Sequence, residues 1–365
     1  MDIKHSQNTL ILRVVFYLLT PNLVNSFIKF PALGEIGGWV ELGRTTLGSP
    51  GQKILITGIA DKQYLTILTN MLPNGTNDLS CNIRFNEDAA GNYSRRGSGN
   101  GGIDVTAVGS TEVGDTGGIS INNQVLGVHF VQNLSGENKL LLGYYALSDG
   151  TGSANIPDRR ESFGKWANTS AAIDDVEQST GDPGLGTGSE VVVLGWDPDD
   201  THTTNFWELQ GTESSTSTIN NIETSFTAKK YLWVQAWIGT TAAANWAMRL
   251  GSTTIDTGSN YSYRQSDDGT SDTSNINQNR GIIDSSGGGF VGPMFLNAFI
   301  INNASNEKLV YWHTVWGNTA GAGNPPHRAE GVFKWDNASN QADILSVGTF
   351  NQTFTKSELR VWGAN

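Results

Sequence analysis

Two Asp-Thr-Gly triplets, Asp115-Thr116-Gly117 and Asp256-Thr257-Gly258, are the first residues whose types could do chemistry. An aspartic protease needs two such carboxylates sharing a proton, one from each half of a duplicated β protein. This chain does repeat itself, but Asp256 falls opposite Asp88 in the repeat, not opposite Asp115. The two aspartates hold non-equivalent positions and cannot meet across a symmetry axis. Histidines stand at 5, 129, 202, 313 and 327, with no pair at metal-binding spacing. No nucleophile elbow, phosphate loop, HExxH motif or cofactor signature is present.

Acids leave two further candidates. A glycosidase needs two carboxylates roughly 5–10 Å apart, and Glu161/Glu330 and Glu190/Glu358 are each duplicated. Each stands in a phrase that also holds a cation or tryptophan, so the expected role is an ion pair with Arg159 or Arg328, or with Lys165 or Lys334, steadying a loop. "FNEDAAGNY" (85–93) offers Asn86, Asp88 and Asn92 as hard oxygen ligands for calcium. An Asx-turn explains the same loop without metal.

The elements that must position these residues come in two copies. "PDRRESFGKW" at 157–166 returns as "PHRAEGVFKW" at 326–335, sharing Pro-x-Arg-x-Glu-x-x-x-Lys-Trp. In the same order, Trp39-Val-Glu41-Leu42 faces Phe206-Trp207-Glu208-Leu209, Asn92-Tyr93-Ser94 faces Asn260-Tyr261-Ser262, and Ser189-Glu190 faces Ser357-Glu358. Within each copy, "KQYLTILTN", "QVLGVHFVQN", "KLLLGYYAL" and their partners alternate or run apolar over strand lengths between Gly, Pro, Asn and Asp. Helical periodicity is not sustained anywhere. The expected fold is all-β: two tandem, duplicated antiparallel β-sandwich (jelly-roll-like) domains with an N-terminal arm. Repeat 1 spans 39–197, a Pro- and Asp-rich linker 198–206, and repeat 2 207–363. Trp166 and Trp335, shared by both copies, should be buried.

Residues 1–36 form an apolar arm or signal-like segment. "LILRVVFYLLTPNLVNSFIKF" (10–30) is interrupted by Arg13, Pro21 and Lys29, too early for a membrane span. A net charge of −12 without a basic stripe argues against nucleic acid and anionic lipid as partners. The single cysteine, Cys81, excludes an intrachain disulfide.

The copies differ most in "KYLWVQAWIG" (230–239). Leu232, Val234, Ala236 and Ile238 should enter the core, leaving Tyr231, Trp233, Gln235 and Trp237 on the opposite face. The repeat-1 equivalents are Tyr64, Thr66, Leu68 and Asn70, which read as a solvent face. Trp312 and Trp316, replacing Gly143 and Leu147, could extend this platform. An exposed aromatic stripe stacks a sugar or is buried by protein, the second including the other module or another subunit.

"ELGRTTLGSPGQ", "FNEDAAGNYSRRGSGNGG", "KWANTS" and "GSEVVVLGWDPDD" resemble repeated β-sandwich modules in structural proteins of tailed phages and related environmental viruses. The resemblance implies a non-enzymatic virion structural protein of a fibre, tail or capsid surface. Its partners would be copies of itself or other virion proteins, and its location a virion surface or extracellular. The alternative is a carbohydrate-binding adhesin that engages cell-surface glycan through Tyr231, Trp233, Trp237, Trp312 and Trp316. A polysaccharide hydrolase stands behind both.

Overall fold

The computed structural model describes residues 38–75, 80–114, 124–180, 184–198, 200, 205–239, 245–284, 293–317, 325–349 and 352–365. The N-terminal segment 1–36, Asp115, His5 and His202 lie outside the described residues, as does most of the linker. Residues 36–365 form one compact unit. The fold is all-β, and every strand pairing among the described residues is antiparallel.

The first sandwich uses β1 (Val40–Thr46), β2 (Lys53–Ile56), β3 (Tyr64–Met71), β4 (Asn82–Phe85), β5 (Tyr93–Gly99), β6 (Val105–Ser110), β7 (Val113–Gly114), β8 (Val125–Gln132), β9 (Lys139–Leu147), β10 (Asp158–Trp166), β11 (Val176–Ser179) and β12 (Glu190–Trp196). Its 8-stranded sheet runs β1-β12-β3-β8-β9-β10-β5-β6, and its 4-stranded sheet runs β2-β11-β4-β7.

The second uses β13 (Glu208–Ser215), β14 (Asn221–Ser225), β15 (Tyr231–Gly239), β16 (Trp246–Ser252), β17 (Thr254–Ile255), β18 (Tyr261–Asp267), β19 (Thr273–Gln278), β20 (Gly281–Asp284), β21 (Pro293–Ile301), β22 (Lys308–Trp316), β23 (His327–Trp335), β24 (Ile344–Gly348) and β25 (Lys356–Ala364). Its large sheet, β13-β25-β15-β21-β22-β23-β18-β19, repeats the first strand for strand. The smaller sheet runs β14-β24-β16-β17 and adds β20 beside β16. Even the bulge is shared, falling at Glu41/Gly43 in one copy and Leu209/Gly211 in the other.

Alternation along each strand separates two cores. Ile67, Val131, Leu141, Tyr145 and Trp166 fill the first, and Leu232, Val234, Ala236, Ile238 and Trp335 the second. The inward face read for 230–239 is therefore the face observed. Trp312 and Trp316 also belong to the second core, fully or almost fully buried. That corrects their assignment to an outward platform. Both faces of "KLVYWHTVW" are apolar, so pattern alone does not separate them.

The two cores differ by reciprocal exchanges of volume. In the first, His129 sits directly opposite Gly143, and a Cβ on Gly143 would come within 2.9 Å of the imidazole. In the second, the same pair is Ala298 opposite Trp312. Likewise Val113 fills the space above Gly164, where a Cβ would meet it at 2.1 Å, whereas Phe333 fills the space above Gly281 at 2.4 Å. Close packing allows each exchange only as a pair.

Candidate functional site

The outward faces of the two large sheets carry the residues singled out by sequence, and those faces pack on one another. A third apolar cluster is shared by both halves: Leu68, Leu126, Val128, Ala146 and Leu194 from the first, Tyr231, Phe299, Ile301, Leu309 and Tyr311 from the second. Equivalent residues meet across the seam. Phe130 faces Phe299 with ring centroids 6.1 Å apart, and Tyr144 faces His313 at 5.2 Å.

Cross-strand rows show which parts are covered. In the first sheet, Asn70, Leu126, Ala146 and Arg159 lie side by side, and all are buried. The row at the other end, Tyr64, Gln132, Leu140 and Lys165, keeps Tyr64, Leu140 and Lys165 exposed. The second sheet reverses this. Tyr231, Ile301, Leu309 and Lys334 are buried, whereas Trp237, Phe295, Val315 and Arg328 are exposed.

The PxRxExxxKW motif is a strand rather than a loop brace, and it serves two surfaces at once. Its tryptophans point inward: Trp166 Nε1 donates to Asp88 at 2.7 Å, and Trp335 Nε1 to Asp256 at 2.7 Å. Both rings are buried and each acceptor is also held by an asparagine, Asn92 or Asn260. Burial works against both carboxylates, but these bonds hold each below its ordinary pKa. The oxygens of Asp88 considered for calcium thus serve the indole, the Asn92 amide and the Ala90 N–H. Asp256, the proteolytic candidate, has the same structural role.

Outward, the motif builds the polar part of the seam. Arg159 contacts Glu161 at 2.9 Å in its own strand, Asp272 at 2.7 Å and Glu330 at 3.6 Å across the seam. Burial opposes its charge, but the Asp272 and Glu161 carboxylates outweigh that and raise its pKa. Tyr311 Oη donates to Glu161 at 3.0 Å and contacts His313 Nε2 at 3.2 Å. Lys334 donates to the Ser148 carbonyl at 3.0 Å and pairs with Glu307 at 3.3 Å. Burial pushes Glu330 up and Lys334 down, and lowers His313 to about 4. The equivalent Lys165 and Arg328 are exposed.

At the far edge Glu190 accepts from Tyr231 Oη at 2.9 Å and Lys230 Nζ at 2.9 Å, with Thr46 and Arg44 completing its shell. Burial alone would raise this carboxyl; the donors bring it below its ordinary value. The reading of Thr66, Leu68 and Asn70 as a solvent face is overturned, since all three are buried. Trp233 shares the outward face of β15 with Tyr231 and Trp237, stacks on Phe299 at 5.5 Å and donates to Asn297 at 2.6 Å. It packs against the shared cluster. Trp237 alone of the five aromatic candidates is exposed, at 36%.

Sequence reasoning missed Tyr144, Asp272, Phe295 and Glu307 because it did not ask which outward faces meet: their roles depend on contacts between the two copies and between neighbouring strands. Pairing alternation on β21 with that on β15 would have placed Phe295 beside Trp237. Among the described residues no cluster of three or more metal-ligating side chains occurs, and no helix is long and apolar enough to cross a membrane.

No family model matches the chain, and no curated protein matches it. Among solved structures it is similar to the LG1-3 region of the laminin alpha2 chain, with 10% identity and a TM-score of 0.20, covering 85% of this chain. It spans only 59% of that laminin fragment. It is also similar to domains LG4-5 of the mouse laminin alpha1 chain, with 8% identity, a TM-score of 0.18 and 92% of each chain covered. At that distance the likeness carries no information about activity.

Proposed function

We propose that the chain is a non-enzymatic structural protein of a virion surface, in a fibre, tail or capsid position, made of two jelly-roll-like modules that act as one rigid block. The observation that carries this reading is the seam. Two sandwiches joined only by a linker would swing independently, whereas here a shared apolar cluster and a buried Arg159–Asp272–Glu330 network fix them together. A rigid block suits a component that transmits position through an assembly. The duplicated acids support the non-enzymatic part. Among the described residues each duplicated acid is held by a cation or donor: Glu161 and Glu330 by Arg159 and Arg328, Glu190 by Tyr231, Lys230, Thr46 and Arg44, and Glu358 by Arg360.

The test is quantitative mass spectrometry of purified particles from the source of this sequence, with activity assays of the full chain on a polysaccharide panel. The expected result is a fixed copy number per particle and no hydrolysis. Recovery of the chain only outside particles, or release of reducing sugar, overturns the reading. A second reading, a carbohydrate-binding adhesin, is favoured by one observation: the row of Trp237, Phe295, Val315 and Arg328 stays uncovered while the opposite end of that face is buried in the seam.

A further inference from the structure

Four of the five aromatic candidates are accounted for by packing; Trp237 is not. Its position is not demanded by the fold, because the equivalent place in the first sheet holds Asn70, and the equivalent of Phe295 is Leu126. The indole lies along the sheet over Gly239, where a Cβ would come within 3.0 Å of its ring. The first sheet has Leu72 at that place. Trp237 and Gly239 together therefore make a flat aromatic plate, with Phe295 directly beside it on the neighbouring strand. Next to the plate is a recess of about 180 Å³, lined by Gln235, Trp237, Phe295, Glu358 and Arg360. Drug-sized pockets hold ~300–1,000 Å³, so this one suits a single ring of a longer ligand.

The rim says which ring. Lys356 Nζ stands over the indole, 5.4 Å from the ring centroid. Arg360 Nε donates to Glu358 at 2.6 Å, so that pair is locally neutral. Lys356 makes no ion pair among the described residues, whereas Arg328, which ends the same cross-strand row, is paired with Glu330. Lys356 therefore leaves one uncompensated positive charge at the plate, on a chain of net charge −12. An aromatic plate stacks the C–H face of a pyranose, and an unpaired ammonium at its edge selects an anionic substituent. A ligand stacking here moves Lys356 from the ring face to the rim, where a carboxylate or sulfate replaces the weaker cation–π contact.

We infer that the Trp237–Phe295 strip is a binding site for an acidic saccharide, one pyranose stacked on Trp237 with its anionic group on Lys356. The inference rests on the adhesin reading and sharpens it to a ligand class. Calorimetry on the full chain would use galacturonic acid hexamer, hyaluronan hexasaccharide and 3′-sialyllactose as carboxylated probes, heparin hexasaccharide as the sulfated probe, and cellohexaose, maltohexaose and lactose as neutral ones. At least one acidic probe should bind tenfold or more tightly than the neutral set, and the carboxylated and sulfated arms identify the group. Trp237→Ala should abolish binding. Lys356→Met, at an exposed position, should leave the melting temperature unchanged and reduce the acidic preference to less than threefold. Equal binding of neutral probes overturns the inference but leaves the adhesin reading standing. No saccharide binding at millimolar concentration overturns both. Binding that survives Trp237→Ala, or self-association that the same change removes, also overturns the site.

Discussion

The two large sheets have the same strands in the same order, yet they bury opposite ends of the same face. In the first, the row ending in Arg159 is covered and the row ending in Lys165 is open. In the second, the Arg328 row is open and the Lys334 row is covered. A duplicated module thus presents each motif cation twice, once as a buried ion-pair member and once as a surface charge. At one end the neighbours differ as well: Asn70, Leu126 and Ala146 lie under the seam, and their equivalents Trp237, Phe295 and Val315 form the open row. Burial here follows from which copy lies on top, which no repeat alignment contains.

The largest expected effect comes from breaking a volume exchange on one side only. Trp312→Ala removes a fully buried indole and should cost about 3–5 kcal/mol in the second sandwich. Gly143→Trp, which imports the second copy's residue into the first, should destabilise by a similar amount because His129 occupies the space. Adding His129→Ala to Gly143→Trp should recover ~1–3 kcal/mol of that loss, a coupling typical of residues in direct contact. Denaturant midpoints of the wild type, Gly143→Trp, His129→Ala and the double variant measure the cycle. Additive losses would show that the exchanges are coincidental.

Next is the buried arginine. Arg159→Met leaves the Asp272 carboxylate, 2% exposed, without its cation, and strips Glu330 of one partner. Removing one member of a buried pair costs ~3–5 kcal/mol; about 3 is expected here, because Glu161 on the same network can turn toward solvent. The loss should come as separation of the modules, read by faster amide exchange of Leu68, Leu126 and Ile301 with both inner cores still protected. Loss of protection in the first core instead would mean that the seam does not unfold on its own.

Much of this was legible in the sequence, and the gaps have a physical cause. Strand periodicity, the duplicated phrases and the inward burial of Trp166, Trp335, Leu232 and Ile238 all follow from local pattern. Thr66 and Asn70 did not, since polar side chains on alternate positions look the same beneath water and beneath a second sheet. Asn70 Oδ1 accepts there from Gln124 Nε2 at 2.6 Å, a partner that alternation cannot supply. Trp312 was misplaced because β22 is apolar on both faces, one for its own core and one for the seam. The plate at Trp237 was half legible: the tryptophan stood out, but Gly239 beneath it did not.

Acid should act on one core more than the other. His129 is fully buried in the first core, and burial lowers its pKa from 6.5 to about 4; the second core has Ala298 there. Between those values the unfolded chain binds a proton that the folded one does not, so stability falls as pH drops from 6.5 to 4. The shift corresponds to at most about 3 kcal/mol, and ~2 is expected once the core relaxes. At the seam the trend from His313 is offset, because burial raises Glu330 and Glu307 and so favours the folded state as pH falls. Amide protection factors, corrected for intrinsic exchange at pH 7 and pH 4.5, should therefore fall in β8 and β9 more than in β21 and β22. His129→Leu should remove the difference.

The smallest effect is expected at the other arginine of the repeated motif. Arg328 is the sequence equivalent of Arg159 and forms the same kind of pair, with Glu330 at 3.2 Å, but its side chain is 61% exposed. Exposed pairs contribute ~0–1 kcal/mol, because water screens the attraction and ordering a long side chain costs entropy. Glu330 also keeps Arg159 at 3.6 Å when Arg328 is lost, so no buried charge is abandoned. Arg328→Met should shift the denaturant midpoint by no more than about 0.5 kcal/mol equivalent and leave exchange at the seam unchanged. Should it instead match Arg159→Met, exposure would not be what separates the two copies, and the opposed rows would need another cause.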